Sequence, residues 1–134
     1  MVNAQNTQDI KQTLHDFNSA VTNKDIDQAF SVFDNDANVL LAGSGIEELH
    51  KGNAAIRNFL KTFFSNPFYV SWDMSNMTID QNLDTAWVFV NGAVTINHDN
   101  GSTSNMPYRI TVVMIIKDAA WKWRLFNGSV PQQE

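Results

Sequence analysis

Cysteine is absent from this 134-residue chain, which removes disulfides, thiolate nucleophiles and cysteine-ligated metals together. A basic face is missing as well. Nine Lys and Arg stand against fourteen Asp and Glu, for a formal charge of -5. Lys11, Lys24, Lys51, Lys61, Lys117 and Lys122 are scattered along the chain, so no patch is formed to neutralise the phosphates of a nucleic acid. No stretch approaches the roughly 20 apolar residues that span a bilayer. Met1-Val2-Asn3-Ala4-Gln5-Asn6 carries neither the basic start nor the apolar run of an export signal. The expectation is a cytoplasmic protein with no nucleic-acid or membrane partner. Gly-rich phosphate loops, nucleophile elbows and paired-carboxylate motifs are missing too, as are repeats, low-complexity segments and linkers. His15, His50 and His98 lie too far apart for the short-spaced pairs of helical metal sites, so neither metal nor cofactor is expected. His15 reads as solvated beside the polar side of a helix, His50 as part of a loop and His98 as part of a turn. A dyad of His50 with Glu48 is the one acid/base pairing these histidines offer.

What the chain does have is apolar material in quantity. A hydrophobic content of 43% with four tryptophans supports one packed domain over residues 1–134, each large buried side chain contributing about 1.5 to 3 kcal/mol. Between Thr7 and Asn23, the residues Ile10, Leu14, Phe17 and Val21 recur at steps of four, three and four, which places them on one helical face; Asp9 suits the first turn of that helix. Asp25 caps a second helix carrying Ile26, Ala29, Phe30 and Phe33, ended by Asp34-Asn35-Asp36. Residues 37–42 read as a short strand broken by Gly43-Ser44-Gly45. A third helix, with Asn53 as its N-cap, presents Ile56, Phe59, Leu60 and Phe63 and stops at Asn66-Pro67. Strands follow at 69–80, 85–97, 108–117 and 120–130, separated by turns at Asn82 to Asp84, at His98-Asp99-Asn100-Gly101 and at Lys117-Asp118-Ala119-Ala120. Helices first and antiparallel strands afterwards make an α+β domain with helices on one face of a sheet. Val88 to Val90 and Val112 to Ile116 are apolar on consecutive positions, so both faces of the central strands call for burial. Helices inside and a second copy outside satisfy both, which predicts a homodimer through the sheet. Gly92 is placed to bend its strand through a bulge.

This order of elements, with its local motifs, resembles the SnoaL-like domains of the nuclear transport factor two-like superfamily. The carrying residues are the Asp25 turn, Asp34-Asn35-Asp36-Ala37-Asn38-Val39, Leu41-Ala42-Gly43-Ser44 followed by Glu47-Glu48, and Gly52-Asn53-Ala54-Ala55-Ile56. They continue with Asp84-Thr85-Ala86-Trp87, Arg109-Ile110-Thr111, and Trp121-Lys122-Trp123 before Asn127-Gly128-Ser129. The resemblance runs over nearly the whole chain. It implies a cone-shaped fold, with three N-terminal helices packed in a strongly curved, mostly antiparallel sheet around an apolar pocket, and frequent dimerisation. The superfamily hosts isomerases, cyclases, dehydratases, dioxygenase subunits and binding modules, so fold alone selects no activity.

Period-two alternation puts Arg109 and Thr111 on one face of their strand. It puts Asn127 and Ser129 on one face of theirs, continuing the side of Trp123 and Leu125. The resemblance implies that these faces look into the cone, with Glu48 approaching from the loop before the third helix. Glu48 and Arg109 are the candidate catalytic pair: a carboxylate to move a proton and a guanidinium to stabilise developing negative charge. A buried structural ion pair is the alternative reading of the same two residues. Phe17, Leu41, Trp72, Trp87, Thr111, Trp123, Asn127 and Ser129 are the candidate ligand-binding residues, aromatics forming a floor. The ketosteroid isomerase mechanism on this fold needs an aspartate base with tyrosine and protonated-aspartate donors. Alignment puts Phe17, Leu41 and Thr111 or Val112 near those positions, and apolar groups neither take a proton nor hydrogen-bond an oxyanion. The expected ligand is a small hydrophobic carbonyl or carboxylate compound, with isomerisation, dehydration or cyclisation as the reactions such a site supports. A non-catalytic dimerisation or protein-interaction module is the competing reading.

Overall fold

The helical spacing of Ile10, Leu14, Phe17 and Val21 is realised in α1 (Ala4–Asn23), which buries all four together with Ala20. The structure is a computed structural model that describes residues 4–133. The reading of Met1, Val2 and Asn3 as part of a signal-free start, and of Glu134 as the end of the domain, lies outside the described residues. Helix α1 extends three residues further toward the N-terminus than the spacing predicts, so Asp9 lies beyond its first turn. Asp25 does cap α2 (Ile26–Ser31), its carboxylate accepting from the Gln28 amide at 3.1 Å. Phe33 falls just past that helix, where it bridges to Trp123 and is buried.

Strand β1 (Leu40–Ala42) is shorter than residues 37–42. The Asp36 side chain accepts from the Asn38 amide at 2.7 Å, and the local turn it makes competes with extended pairing. A strand that the sequence reading missed, β2 (Leu49–Lys51), pairs antiparallel with β1. Three residues with no alternation give no period to detect. Helix α3 (Asn53–Phe64) starts one residue earlier than expected: Gly52 is the N-cap, at φ 89, and Asn53 instead donates its side-chain amide to the Asp34 carbonyl at 2.7 Å. Ile56, Leu60 and Phe64 form its buried stripe, with Phe59 and Phe63 packed beside them.

The predicted strand 69–80 is two strands, β3 (Phe68–Trp72) and β4 (Met77–Asn82), followed by β5 (Thr85–His98), β6 (Thr103–Lys117) and β7 (Ala120–Ser129). The sheet runs β2-β1-β7-β6-β5-β3, with β4 also pairing β5; among the described strands only β1 and β7 pair parallel. Gly92 does not bulge against β6, because it holds the continuous β5–β6 register opposite Tyr108. The irregularity lies on the other edge, where β5 pairs β4 up to Val90 and β3 from Val94. In the gap the chain at Asp73 folds over Gly92, and a Cβ there would come within 2.2 Å of the Asp73 carbonyl oxygen. The bulge sits instead in β7: Val113 pairs Leu125 while Met114 pairs Trp123, leaving Arg124 as the extra residue.

The inner face of the sheet and the helices share one core. Phe17 is at its centre, 4.8 Å from the Trp123 ring, 5.6 Å from Phe126 and 5.9 Å from Trp72. Trp123 is fully buried, and its indole N–H is satisfied by Thr13 Oγ1 at 2.9 Å. Asp34, 3% exposed, ties the end of α2 to the sheet: its carboxylate meets Lys117 at 3.2 Å and Arg124 at 3.8 Å. The bulge delivers that arginine, which also reaches Asp36 at 3.3 Å. Among the described residues no helix is long and apolar enough to cross a membrane.

Candidate functional site

The cone is not filled. Between α1, α3 and the inner face of the sheet lies a cavity of about 240 Å3. Its aromatic side chains are Phe17, Phe59, Phe63, Phe68, Trp72, Tyr108 and Phe126, and Leu41, Leu60, Val70 and Val94 add aliphatic wall. Ligand pockets for drug-sized molecules run from about 300 to 1,000 Å3, so this one suits something smaller. Its polar lining is concentrated on one loop and one strand: Ser44, Glu48 and Tyr108.

That loop joins β1 to β2 and closes on itself. The Gly43 amide donates to the Glu48 carbonyl at 2.7 Å, the Glu48 amide to the Gly45 carbonyl at 3.0 Å, and the Gly45 amide to Glu48 Oε1 at 2.7 Å. Glycine is needed at 43, where a Cβ would stand 2.9 Å from the Glu48 Cβ, whereas at Gly45 the contact of 2.6 Å is with the carboxylate oxygen at the movable end of the same side chain. Tyr108 points inward from β6 and is 8% exposed. Burial raises the pKa of its phenol above the ordinary value and the nearby Glu48 carboxylate pushes the same way, while hydrogen bonds from the Ser44 hydroxyl and amide partly offset both. The hydroxyl lies directly over Gly128, where a Cβ would stand 2.1 Å from it. Trp72 is held by a two-way clasp from α1: Asn18 accepts from the Trp72 amide at 2.9 Å and donates to its carbonyl at 2.9 Å. The Trp72 indole N–H is buried with no hydrogen-bond partner.

Of the residues singled out by sequence, Glu48, Phe17, Leu41 and Trp72 come together around this cavity. Arg109, Thr111, Asn127 and Ser129 also come together, but on the outer face of the sheet, where Arg109 pairs Ser129 and Thr111 pairs Asn127. Their inward placement is corrected for two reasons. In β6 the buried set is Tyr108, Ile110, Val112 and Met114, so Arg109 and Thr111 take the opposite side. In β7 the extra residue Arg124 reverses the alternation, so Phe126 and Gly128 follow Trp123 inward while Asn127 and Ser129 turn out. Glu48 and Arg109 therefore lie on opposite sides of the sheet and form no pair. Trp87 stands on the outer face, 41% exposed, and Trp123 belongs to the core rather than to the cavity wall. His50 lies on β2, not in a loop; it pairs Leu41 and stacks on Phe59 at 4.5 Å, with Nε2 buried and unpartnered. Glu48 turns its Oε1 to the Gly45 amide. Among the described residues, no three metal-ligating side chains gather. Tyr108 and Ser44 were missed as site residues, although the run Tyr108, Ile110, Val112, Met114 carries the longer apolar alternation and marks the inward side.

A curved, mostly antiparallel sheet wrapped around three helices, with an apolar cavity between them, is the fold of NTF2-like proteins. The chain belongs to the SnoaL-like domain family, which matches residues 10–133. Its fold is similar to that of a proposed dehydratase of the NTF2-like family from Streptomyces avermitilis, with a TM-score of 0.85 at 14% identity, covering 96% of this chain and 98% of that one. It is similar also to a proposed aromatic ring hydroxylase from Novosphingobium aromaticivorans, with a TM-score of 0.86 at 19% identity and coverage of 99% and 94%. A proposed scytalone dehydratase from Novosphingobium aromaticivorans gives 0.82 at 12% identity, covering 95% and 85%. No curated protein matches the sequence. At these identities the likeness establishes the fold.

Proposed function

We propose that the protein binds a small, largely apolar molecule inside the cone and holds its polar end against Glu48, Ser44 and Tyr108. The observation that carries this reading is the cavity itself: about 240 Å3 of apolar space with one carboxylate, one phenol and one hydroxyl grouped in its wall. The chemistry open to such a group is proton transfer. Glu48 is the base, and the Tyr108 hydroxyl, kept protonated by burial, stabilises charge on a substrate oxygen. Dehydration and isomerisation both need that combination, and two structural neighbours are described as dehydratases. Native mass spectrometry of freshly purified protein, under gentle and then denaturing conditions, is the test. A releasable small molecule is expected. Protein that carries none, and that takes up no apolar probe on titration, would remove the reading.

The partner we propose for the outer face is a second copy of the chain. One row across the sheet, in register, runs Lys51, Leu40, Leu125, Val113, Trp87 and Asp80. It is apolar in the middle, positive at one end and negative at the other. A two-fold axis through its centre sets Lys51 of each copy against Asp80 of the other and covers Trp87, satisfying the self-complementarity of a C2 interface. A monomer mass in solution at micromolar concentration is the result against it.

A further inference from the structure

We infer that Asn100, in the turn between β5 and β6, is a site of spontaneous covalent modification: its side-chain amide is lost through a cyclic imide, and the residue becomes a mixture of aspartate and isoaspartate.

The chain carries the same dipeptide at Asn91-Gly92, Asn100-Gly101 and Asn127-Gly128. Glycine is the follower that least obstructs such a cyclisation, because no side chain shields its nitrogen or restricts its rotation. Local sequence therefore treats the three sites alike, and the fold separates them. Gly92 lies in the continuous β5–β6 register and Gly128 in that of β6 and β7. Each is also covered: a Cβ on Gly92 would collide with the Asp73 carbonyl oxygen, and one on Gly128 with the Tyr108 ring and hydroxyl. Neither nitrogen can swing out of its ladder toward the preceding side chain while the sheet is intact. Asn100 and Gly101 lie between strands and are both exposed. A Cβ on Gly101, which has φ 90, meets nothing within 4 Å.

The turn also holds the amide ready. Asn100 Oδ1 accepts from the Ser102 amide at 2.9 Å and from the Ser102 hydroxyl at 2.7 Å, which curls the side chain back along the chain past the Gly101 nitrogen. Two donors on that oxygen draw electron density from Cγ and stabilise the negative charge that forms when Cγ is attacked. The Gly101 amide is restrained by its bond to the His98 carbonyl at 2.9 Å, and a bond in an exposed hairpin turn opens at little cost. Water is the only co-reactant needed. Gly101 N, giving its proton to solvent base, bonds to Cγ; the bond from Cγ to Nδ2 breaks and ammonia leaves; water then opens the cyclic imide at either carbonyl. Opening at Cγ gives aspartate. Opening at the main-chain carbonyl gives isoaspartate, whose backbone runs through Cγ and is longer by one carbon. The His98 amide closes this turn on the Ser102 carbonyl at 2.9 Å, which the longer backbone no longer fits. The strands that leave the turn carry Val94, Ile96 and Met106 to the cavity wall.

Ageing the purified protein in mildly alkaline buffer, once native and once unfolded in guanidinium chloride, tests the assignment. Peptide mapping by mass spectrometry follows each asparagine, and an isoaspartate-specific carboxyl methyltransferase reports the isomer formed. In the native protein Asn100 is expected to convert about tenfold faster than Asn91 and Asn127, and in guanidinium the three rates are expected to converge. Ser102→Ala removes the hydroxyl donor and is expected to slow Asn100 about threefold, leaving the other two sites as they were; a rate that does not fall removes the hydroxyl's part. Equal native rates at the three sites, or an Asn100 that stays intact in the fold while the unfolded chain converts, would overturn the inference. Aspartate without isoaspartate would overturn the cyclic route, since direct hydrolysis of the side-chain amide makes aspartate alone.

Discussion

Gly128 and Tyr108 show how a single hydrogen atom in place of a methyl group sets a site. A Cβ at 128 would stand 2.1 Å from the tyrosine oxygen, closer than any real contact, so Gly128→Ala is expected to displace the ring and destabilise the fold by about 1 to 3 kcal/mol. Tyr108→Phe would leave the ring carbons Cζ and Cε2 at 2.7 and 2.8 Å from that Cβ and so relieves little, whereas Tyr108→Ala removes the ring. Denaturant melts of Gly128→Ala, Tyr108→Ala and the double variant should therefore be non-additive, Gly128→Ala costing little once the ring is gone; simple addition would mean that the ring does not lie over Gly128. The same phenol carries a pH signature. Its pKa is raised in the folded protein above the ordinary 10.0, so its contribution to stability is whole below pH 10.0 and is lost as pH rises through the folded value. Alkaline unfolding is expected to begin later in Tyr108→Phe than in the wild type. At this scale the sequence is a partial guide. Glu48 and Phe17 are reached through the family resemblance, and Trp72 as an aromatic, although the same bulk also selects Trp87 and Trp123, which lie outside the cavity wall; choosing Arg109 over Tyr108 follows from weighting charge over alternation.

Among the elements, helices are the legible part. Ile10, Leu14, Phe17 and Val21 repeat at a period that only a helix satisfies, and the Asp25 cap has one geometry. Strand boundaries depend on partners, and there the sequence says less. Nothing in the composition of residues 69–80 announces that the chain leaves the sheet between Trp72 and Met77, and one residue too many at Arg124 has no chemical mark, although it inverts the facing of all that follows. The break at Asp73 makes a prediction of its own. Gly92→Ala would drive a methyl group against the Asp73 carbonyl and strain the bond from the Asp73 amide to Ala93, so a loss of about 1 to 3 kcal/mol is expected in urea denaturation. A neutral result would place that segment elsewhere. The β6–β7 turn offers the opposite sign: Asp118 and Ala119 both have positive φ, 52 and 64, as a type I′ hairpin requires. Alanine is strained there, and Ala119→Gly is expected to raise the urea midpoint, by about 0.5 kcal/mol net of the added chain entropy.

The whole molecule was the easiest thing to infer and its outer face the most consequential. Doubly apolar strands such as Val112 to Ile116 suit a sheet covered on both sides, and the helices cover one; the second copy proposed above would cover the other. Val113→Lys sets a charge in the middle of the outer row without touching the core, so sedimentation should report a monomer that still binds probes in its cavity; an unchanged mass would show that copies meet elsewhere. What no sequence states is whether the cone is open, because that depends on how side-chain volumes sum in three dimensions. The loop at its wall adds one last consequence. Glu48 holds the turn from Gly43 closed through the Gly45 amide, and the same side chain faces the cavity. A guest that draws this carboxylate toward itself takes it from the loop, so order in the loop and affinity for the guest become two readings of a single equilibrium: whatever stiffens one weakens the other.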